Sequence, residues 1–90
     1  MLIMVIERFR AGNPREVGER FQQCGRLMPE SPPISYVASW MAADGSHCYQ
    51  IMEAASVDDL EGWMANWRDL VDFEAVPVET SAAFWAARQR

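Results

Sequence analysis

Hydrophobic positions along the chain change their period several times, and each change predicts an element. Leu2 to Phe9 is a nearly unbroken apolar run ending in charge, the pattern of a strand covered on both faces and therefore central in its sheet. Gly12 breaks it. Asn13 is placed to cap a helix, Pro14 suits the first helical position and Glu16 completes a capping-box pattern. Val17, Phe21, Cys24 and Met28 then recur at helical spacing, with Gly25 a candidate C-terminus and Pro29, Pro32 and Pro33 a firm end.

From Ile34 to Glu53 two aromatic-rich runs meet at Asp44 and Gly45, a strong hairpin signal because both positions of a two-residue turn need positive φ. Such a turn sets Ala43 opposite Ser46, Met41 opposite Cys48, Ser39 opposite Gln50 and Val37 opposite Met52. Side chains alternate, so Tyr36, Ala38, Trp40, Tyr49 and Ile51 share one face with Glu53 at its end. Val37, Ser39, Met41, Cys48, Gln50 and Met52 share the other. The first set is the more apolar and is expected beneath the helices, with Trp40 and Ile51 packed against Phe21 and Trp63. The second set, joined by Ile3, Val5 and Glu7 of the first strand, is expected on the open face.

Ser56 predicts a second helix start, with Asp58 and Asp59 favoured by its dipole, and Leu60, Trp63, Met64, Trp67 and Val71 trace an apolar stripe. Trp63 and Trp67 could be imagined as an aromatic box, but a stripe at helical spacing reads as core. Val71 to Val78 reads as a strand that Pro77 confines to an edge. Ser81 is expected to cap a last helix from Ala82 to Arg90, with Arg88 and Arg90 at its C-terminal end. Strand, helix, strand, strand, helix, strand is the order of an α+β, ferredoxin-like βαββαβ domain. Its antiparallel sheet would carry both helices on one face, with a short C-terminal helix added.

Composition narrows the functional classes. Ninety residues make one domain spanning 1–90, and half of them are hydrophobic. The formal charge is −5 and the eight basic residues are all Arg, scattered from Arg8 to Arg90, which argues against a nucleic-acid footprint. The apolar start MLIMVI lacks a basic flank and is too short for a signal peptide or membrane span, so a cytoplasmic location is expected. There Cys24 and Cys48 are expected as buried free thiols. An apolar open sheet face is rarely left in water, and the economical cover is a second copy of the chain, a two-fold homodimer enclosing a cavity between two sheets.

The segments MLIMVIERF, YVASWMAADG, CYQIME and DLVDFEAVPV resemble a small bacterial family classed as a domain of unknown function and related to the dimeric α+β barrel superfamily. The resemblance covers nearly the whole chain and implies the fold and the homodimer without an activity. The pattern of the first strand is also similar to that of haem-degrading monooxygenases of the superfamily. Those enzymes place an Asn where Glu7 stands and a His in the second helix, and this chain has neither.

Candidate chemistry centres on Glu7, with Ser39 and Gln50 as polar neighbours and Val37, Met41, Cys48 and Met52 as the apolar lining. A carboxylate in such a cavity would have its pKa raised by desolvation toward that of a general base. The alternative is structural: Ser39 bonds Gln50 across the strands while Glu7 pairs with an Arg, such as Arg8 or Arg10 of a partner chain. His47 and Cys48 alternate faces and cannot readily chelate one ion, so neither a metal nor a cofactor is expected. Three readings follow. The first is a homodimer binding a small apolar or aromatic molecule; the second is a cofactor-independent monooxygenase or isomerase using Glu7 as base. The third is a structural module whose cavity is packed shut by Met41 and Met52.

Overall fold

The computed structural model describes residues 1–89. Strand β1 (Leu2–Phe9) leads to helix α1 (Arg15–Cys24), the hairpin β2 (Ile34–Met41) and β3 (His47–Ala54), and a 3-10 turn (Val57–Leu60) running into helix α2 (Glu61–Ala65). Strand β4 (Val71–Val78) and helix α3 (Ser81–Arg88) follow. The four strands form one antiparallel sheet in the order β2-β3-β1-β4, compatible with the ferredoxin-like βαββαβ arrangement. The apolar β1 is central and the Pro-bearing β4 lies on an edge.

Cα partners across the ladders fix which side chains share a face. Met41, Cys48, Glu7 and Phe73 form one row across the sheet; Ser39, Gln50, Val5 and Ala75 form the next, and Tyr36, Met52, Ile3 and Pro77 the one after. This is the face that the helices cover. Ile3, Val5, Phe9, Cys48 and Met52 are buried there with Leu60, Trp63, Met64, Trp67 and Val71. Trp63 meets Phe73 at 5.7 Å between ring centroids.

The expected sides of the sheet are therefore reversed. The grouping of Ile3, Val5, Glu7, Ser39, Met41, Cys48, Gln50 and Met52 on one face is right, but that face is under the helices and the aromatic face is open. Trp40 is 59% exposed and Tyr49 38%, while Ile51 is only partly buried. Phe21, expected to be buried, is 44% exposed. Layer thickness supplies the physical reason. The second-helix region brings two indole rings and a Met to the interface, and the face with small Val5, Cys48 and Ala75 leaves room for them where one bearing Trp40 and Tyr49 would not. Cys48 is buried as expected, but Cys24 is exposed.

Local chemistry revises the turns more than the strands. Asp44 keeps a negative φ: among the described residues only Gly12, Gly25, Gly45 and Leu27 have positive φ. The hairpin closes through an Ala42–Gly45 backbone bond of 2.9 Å with Gly45 at φ 76. Asp44 Oδ1 accepts from the backbone N–H and hydroxyl of Ser46, at 2.9 and 2.6 Å, which holds the loop without left-handed backbone at Asp44. Ala42 still bonds His47, so the pairing near the turn is unchanged. Further out a bulge between Tyr36 and Ala38 inserts Val37, moving Tyr36 onto the covered face and leaving Val37 51% exposed.

Helix α1 starts one residue later than expected: Pro14, not Asn13, stands at the cap position, where it offers no side-chain acceptor, and Asn13 Oδ1 instead accepts from the Arg15 N–H at 3.1 Å in the turn before it. Ser56 makes no side-chain cap bond. Thr80, not Ser81, caps α3 by accepting from the Ala83 N–H at 3.1 Å. Arg88 donates to the Phe84 carbonyl at 3.1 Å in the last turn, as its position suggested, whereas Arg90 lies outside the described residues.

Candidate functional site

Helix α1 contributes no buried residue: Val17 and Phe21 of its apolar stripe face the sheet across a gap, while Cys24 is exposed on the outer side and Met28 lies beyond the helix. It is tied down at its C-terminal half. Arg20 holds Asp69 with two bonds of 2.8 and 2.7 Å and lies over the Trp67 ring. Beyond Gly25 the chain turns through Leu27, at φ 57, a left-handed conformation costly for a branched side chain. Two bonds from the turn after α2 hold it: the Trp67 indole N–H donates to the Arg26 carbonyl at 2.8 Å and the Asn66 amide to the Leu27 carbonyl at 2.9 Å. Helix and sheet are thereby held apart over β1, β2 and β3.

The gap between them is a cavity with an inner part of about 60 Å³ and an outer part of about 270 Å³, both lined by Glu7, Val17, Phe21, Arg26 and Gln50. Trp63 and Trp67 close the inner part; Ser39, Met41, Cys48 and Phe9 border the outer one. The outer part is itself a cleft open to solvent, but buried Glu7, Phe9, Cys48 and Gln50 form its floor, whereas the larger depressions beside α3 and along the outer side of α1 reach no buried side chain.

Five of the sequence-predicted residues, Glu7, Ser39, Met41, Cys48 and Gln50, thus border one cavity, beneath α1 and not on the open face. Met52 is fully buried below, where its sulfur accepts from Gln50 Nε2 at 3.0 Å. Val37, displaced by the bulge, is absent from the lining. Ser39 bonds the Tyr36 hydroxyl at 2.9 Å instead of Gln50.

Glu7 has neither an ion-pair nor a hydrogen-bond partner among the described residues, and the intrachain partners of Arg8 and Arg10 are Glu74 and Asp72. No buried side-chain oxygen or nitrogen among them is both sealed from solvent and unpaired, so the Glu7 carboxyl and the Gln50 carbonyl open onto the cavity. Burial pushes the Glu7 carboxyl up to about 7, against the opposing pull of the Arg26 guanidinium. Cys48, directly across the ladder and about 5 Å away by strand geometry, is pushed up to about 11 by burial and by Glu7. The thiol is therefore neutral at physiological pH, while the carboxyl sits where a proton can be taken or given.

Sequence reasoning missed Arg26, Tyr36 and Phe21 as parts of this site. The Arg26 guanidinium stands 3.6 Å from the Tyr36 ring centroid and 5.3 Å from that of Phe21. Its signal was a single basic residue directly after a helix-ending Gly, between apolar neighbours in CGRLM. Ser46 and His47 also form a close contact, with His47 Nδ1 2.6 Å from Ser46 Oγ. The Ser46 hydroxyl is committed to Asp44, and His47 lies on the opposite face from Glu7, so this cluster stays apart from the cavity.

The family model for a domain of unknown function, DUF3303, matches residues 1–90. The chain belongs to this family. No curated protein and no solved structure matches it at a significant level. Membership of DUF3303 thus agrees with the resemblance read from the strand segments and brings no activity with it, so chemistry has to be argued from the cavity. No described helix is long and apolar enough to cross a membrane.

Proposed function

We propose that this DUF3303 protein is a cytoplasmic homodimer that binds a small apolar or aromatic molecule in the cavity beneath α1. One observation carries the ligand-binding part: a buried carboxyl on a central strand, without a counter-ion within 4.0 Å among the described residues, opens onto a cavity of about 270 Å³. A fold that only needed to pack would gain by replacing Glu7 with an apolar side chain, since burying an uncompensated carboxylate costs several kcal/mol. Few convergent polar groups in an otherwise apolar cavity are the usual composition of a small-molecule site. The open volume weighs against a purely structural module.

The homodimer is supported by the sheet face that the helices leave bare. Leu2, Met4, Ile6, Trp40, Tyr49, Ile51 and Val76 share it, an apolar expanse of the kind that marks an interaction surface. The Cα radius of gyration, 14.3 Å, also exceeds the roughly 12 Å of a self-contained globule of this length. A second reading, Glu7 as general base of a cofactor-independent monooxygenase or isomerase, is favoured by a carboxyl held near 7.

Native mass spectrometry of freshly purified protein tests the proposal, the expected species being a dimer carrying an organic adduct. Ile6→Lys should yield a monomer in sedimentation. A wild-type monomer with no adduct, and with no response to a panel of small ring compounds, would overturn it.

A further inference from the structure

The charge inventory of the cavity is unbalanced. Among the described residues the Arg26 guanidinium makes no ion pair and donates no hydrogen bond, although it is only partly exposed. Two aromatic rings hold it, with Cζ at 3.6 and 5.3 Å from the Tyr36 and Phe21 centroids, and neither ring can accept as a carboxylate does, so its N–H donors stay without a polar partner among the described residues. Such a fork matches a carboxylate or an enolate with its neighbouring carbonyl. Val17, Phe21, Met41 and Phe9 supply apolar surface around it.

We propose that the ligand of this cavity is a planar organic monoanion, a ring bearing a carboxylate or enolate, whose charge pairs with Arg26 while its ring lies against the apolar wall beneath α1. This inference rests on reading the cavity as a ligand site and adds the chemical class. Size is consistent: an apolar cavity of about 150 Å³ accepts benzene, and the outer part here, at about 270 Å³, has room for a ring with its acid group. A dianion such as a phosphate ester would meet one cation with a carboxyl beside it, and an organic cation would meet Arg26.

Glu7 makes the binding dependent on protons. The charged or titratable groups facing it are Arg26, from the loop after α1, and Cys48 on β3; α1 brings Val17 and Phe21, α2 Trp63, β4 Phe73 and β2 Ser39, none of them charged. Arg26 is what partly stabilises ionised Glu7. An anion that takes up Arg26 removes that help and adds a like charge, so Glu7 must be protonated for the anion to stay. Below about pH 7 the proton is already there; above it, each bound anion must bring one in.

The test uses benzoate and its uncharged isostere benzamide, followed by the NMR signal of the Trp67 indole N–H, which lines the cavity and bonds Arg26. Benzoate stays ionised from pH 6 to 8, and its affinity should fall about tenfold across that range, as expected for uptake of one proton at a group titrating midway. Glu7→Gln should abolish the fall, and Arg26→Met should weaken benzoate at least tenfold while sparing benzamide. Benzamide binding as tightly as benzoate, or equal loss of both in Arg26→Met, overturns the anion assignment and leaves the ligand site standing. If neither compound moves the Trp67 signal, both readings fall. Should Arg26→Met not fold, the pH profiles of wild type and Glu7→Gln decide alone: parallel profiles refute the proposal.

Discussion

Glu7→Gln offers the sharpest check on the buried carboxyl, because the side chain keeps its shape and loses only its titration. In the unfolded chain the carboxyl ionises near its ordinary 4.5; in the folded chain burial holds it at about 7. Between those values the native state binds the proton and the unfolded state does not, so stability falls as pH rises, and the loss is complete above pH 7. At roughly 1.4 kcal/mol per pH unit, the difference corresponds to about 3 kcal/mol. Glu7 is only 8% exposed, so solvent screening reduces this little. Urea unfolding followed by tryptophan fluorescence at pH 4.5 and 8, at one protein concentration, isolates the effect as the difference between wild type and variant; the remaining carboxylates cancel. With an m-value of roughly 1 kcal/mol/M, the midpoints should move apart by about 3 M between the two pH values, the variant being the more stable at pH 8. Curves that stay parallel would show that Glu7 is solvated or paired, and would remove the basis of the proposed site.

Trp63→Ala should cost about 3 to 5 kcal/mol, because the indole is 3% exposed and packs on Phe73; chemical denaturation that shows less than 1 kcal/mol would contradict the side of the sheet assigned to the core. Gly25→Ala forces a side chain into φ 70 with no neighbouring atoms to blame and should cost about 1 to 2 kcal/mol, read from the melting transition, with unchanged stability refuting the strained turn. Of the two thiols, exposed Cys24 should react with a thiol reagent at pH 8 in the native protein much faster than Cys48, whose thiol is held at about 11; equal rates for both would argue against the desolvated surroundings that Cys48 shares with Glu7.

Much of the fold was legible because it depends on local pattern. The apolar run of β1, the Asp44–Gly45 signal, the Pro77 edge and the stripe through Trp63 and Trp67 each carry their own physical cause, and together they define element order and strand order. Even the grouping of Glu7, Ser39, Met41, Cys48 and Gln50 was available, since alternation along paired strands follows from register alone. Which side of the sheet the helices cover was not. β1 is apolar on both faces and gives no alternation to read, so the choice depended on whether aromatic or small side chains of the hairpin fit beneath the indoles of Trp63 and Trp67. That is a question of volume between layers, not of sequence pattern. The bulge at Val37 was equally hidden, and with it the turning of Tyr36 toward Arg26. Arg26 itself joins Glu7 only because a strained turn at Gly25 and Leu27, pinned by Trp67 and Asn66, folds the end of α1 back over the sheet. Sequence determined the parts and which of them share a face; tertiary packing decided which face closes into a site and brought the Arg26 guanidinium to the buried acid.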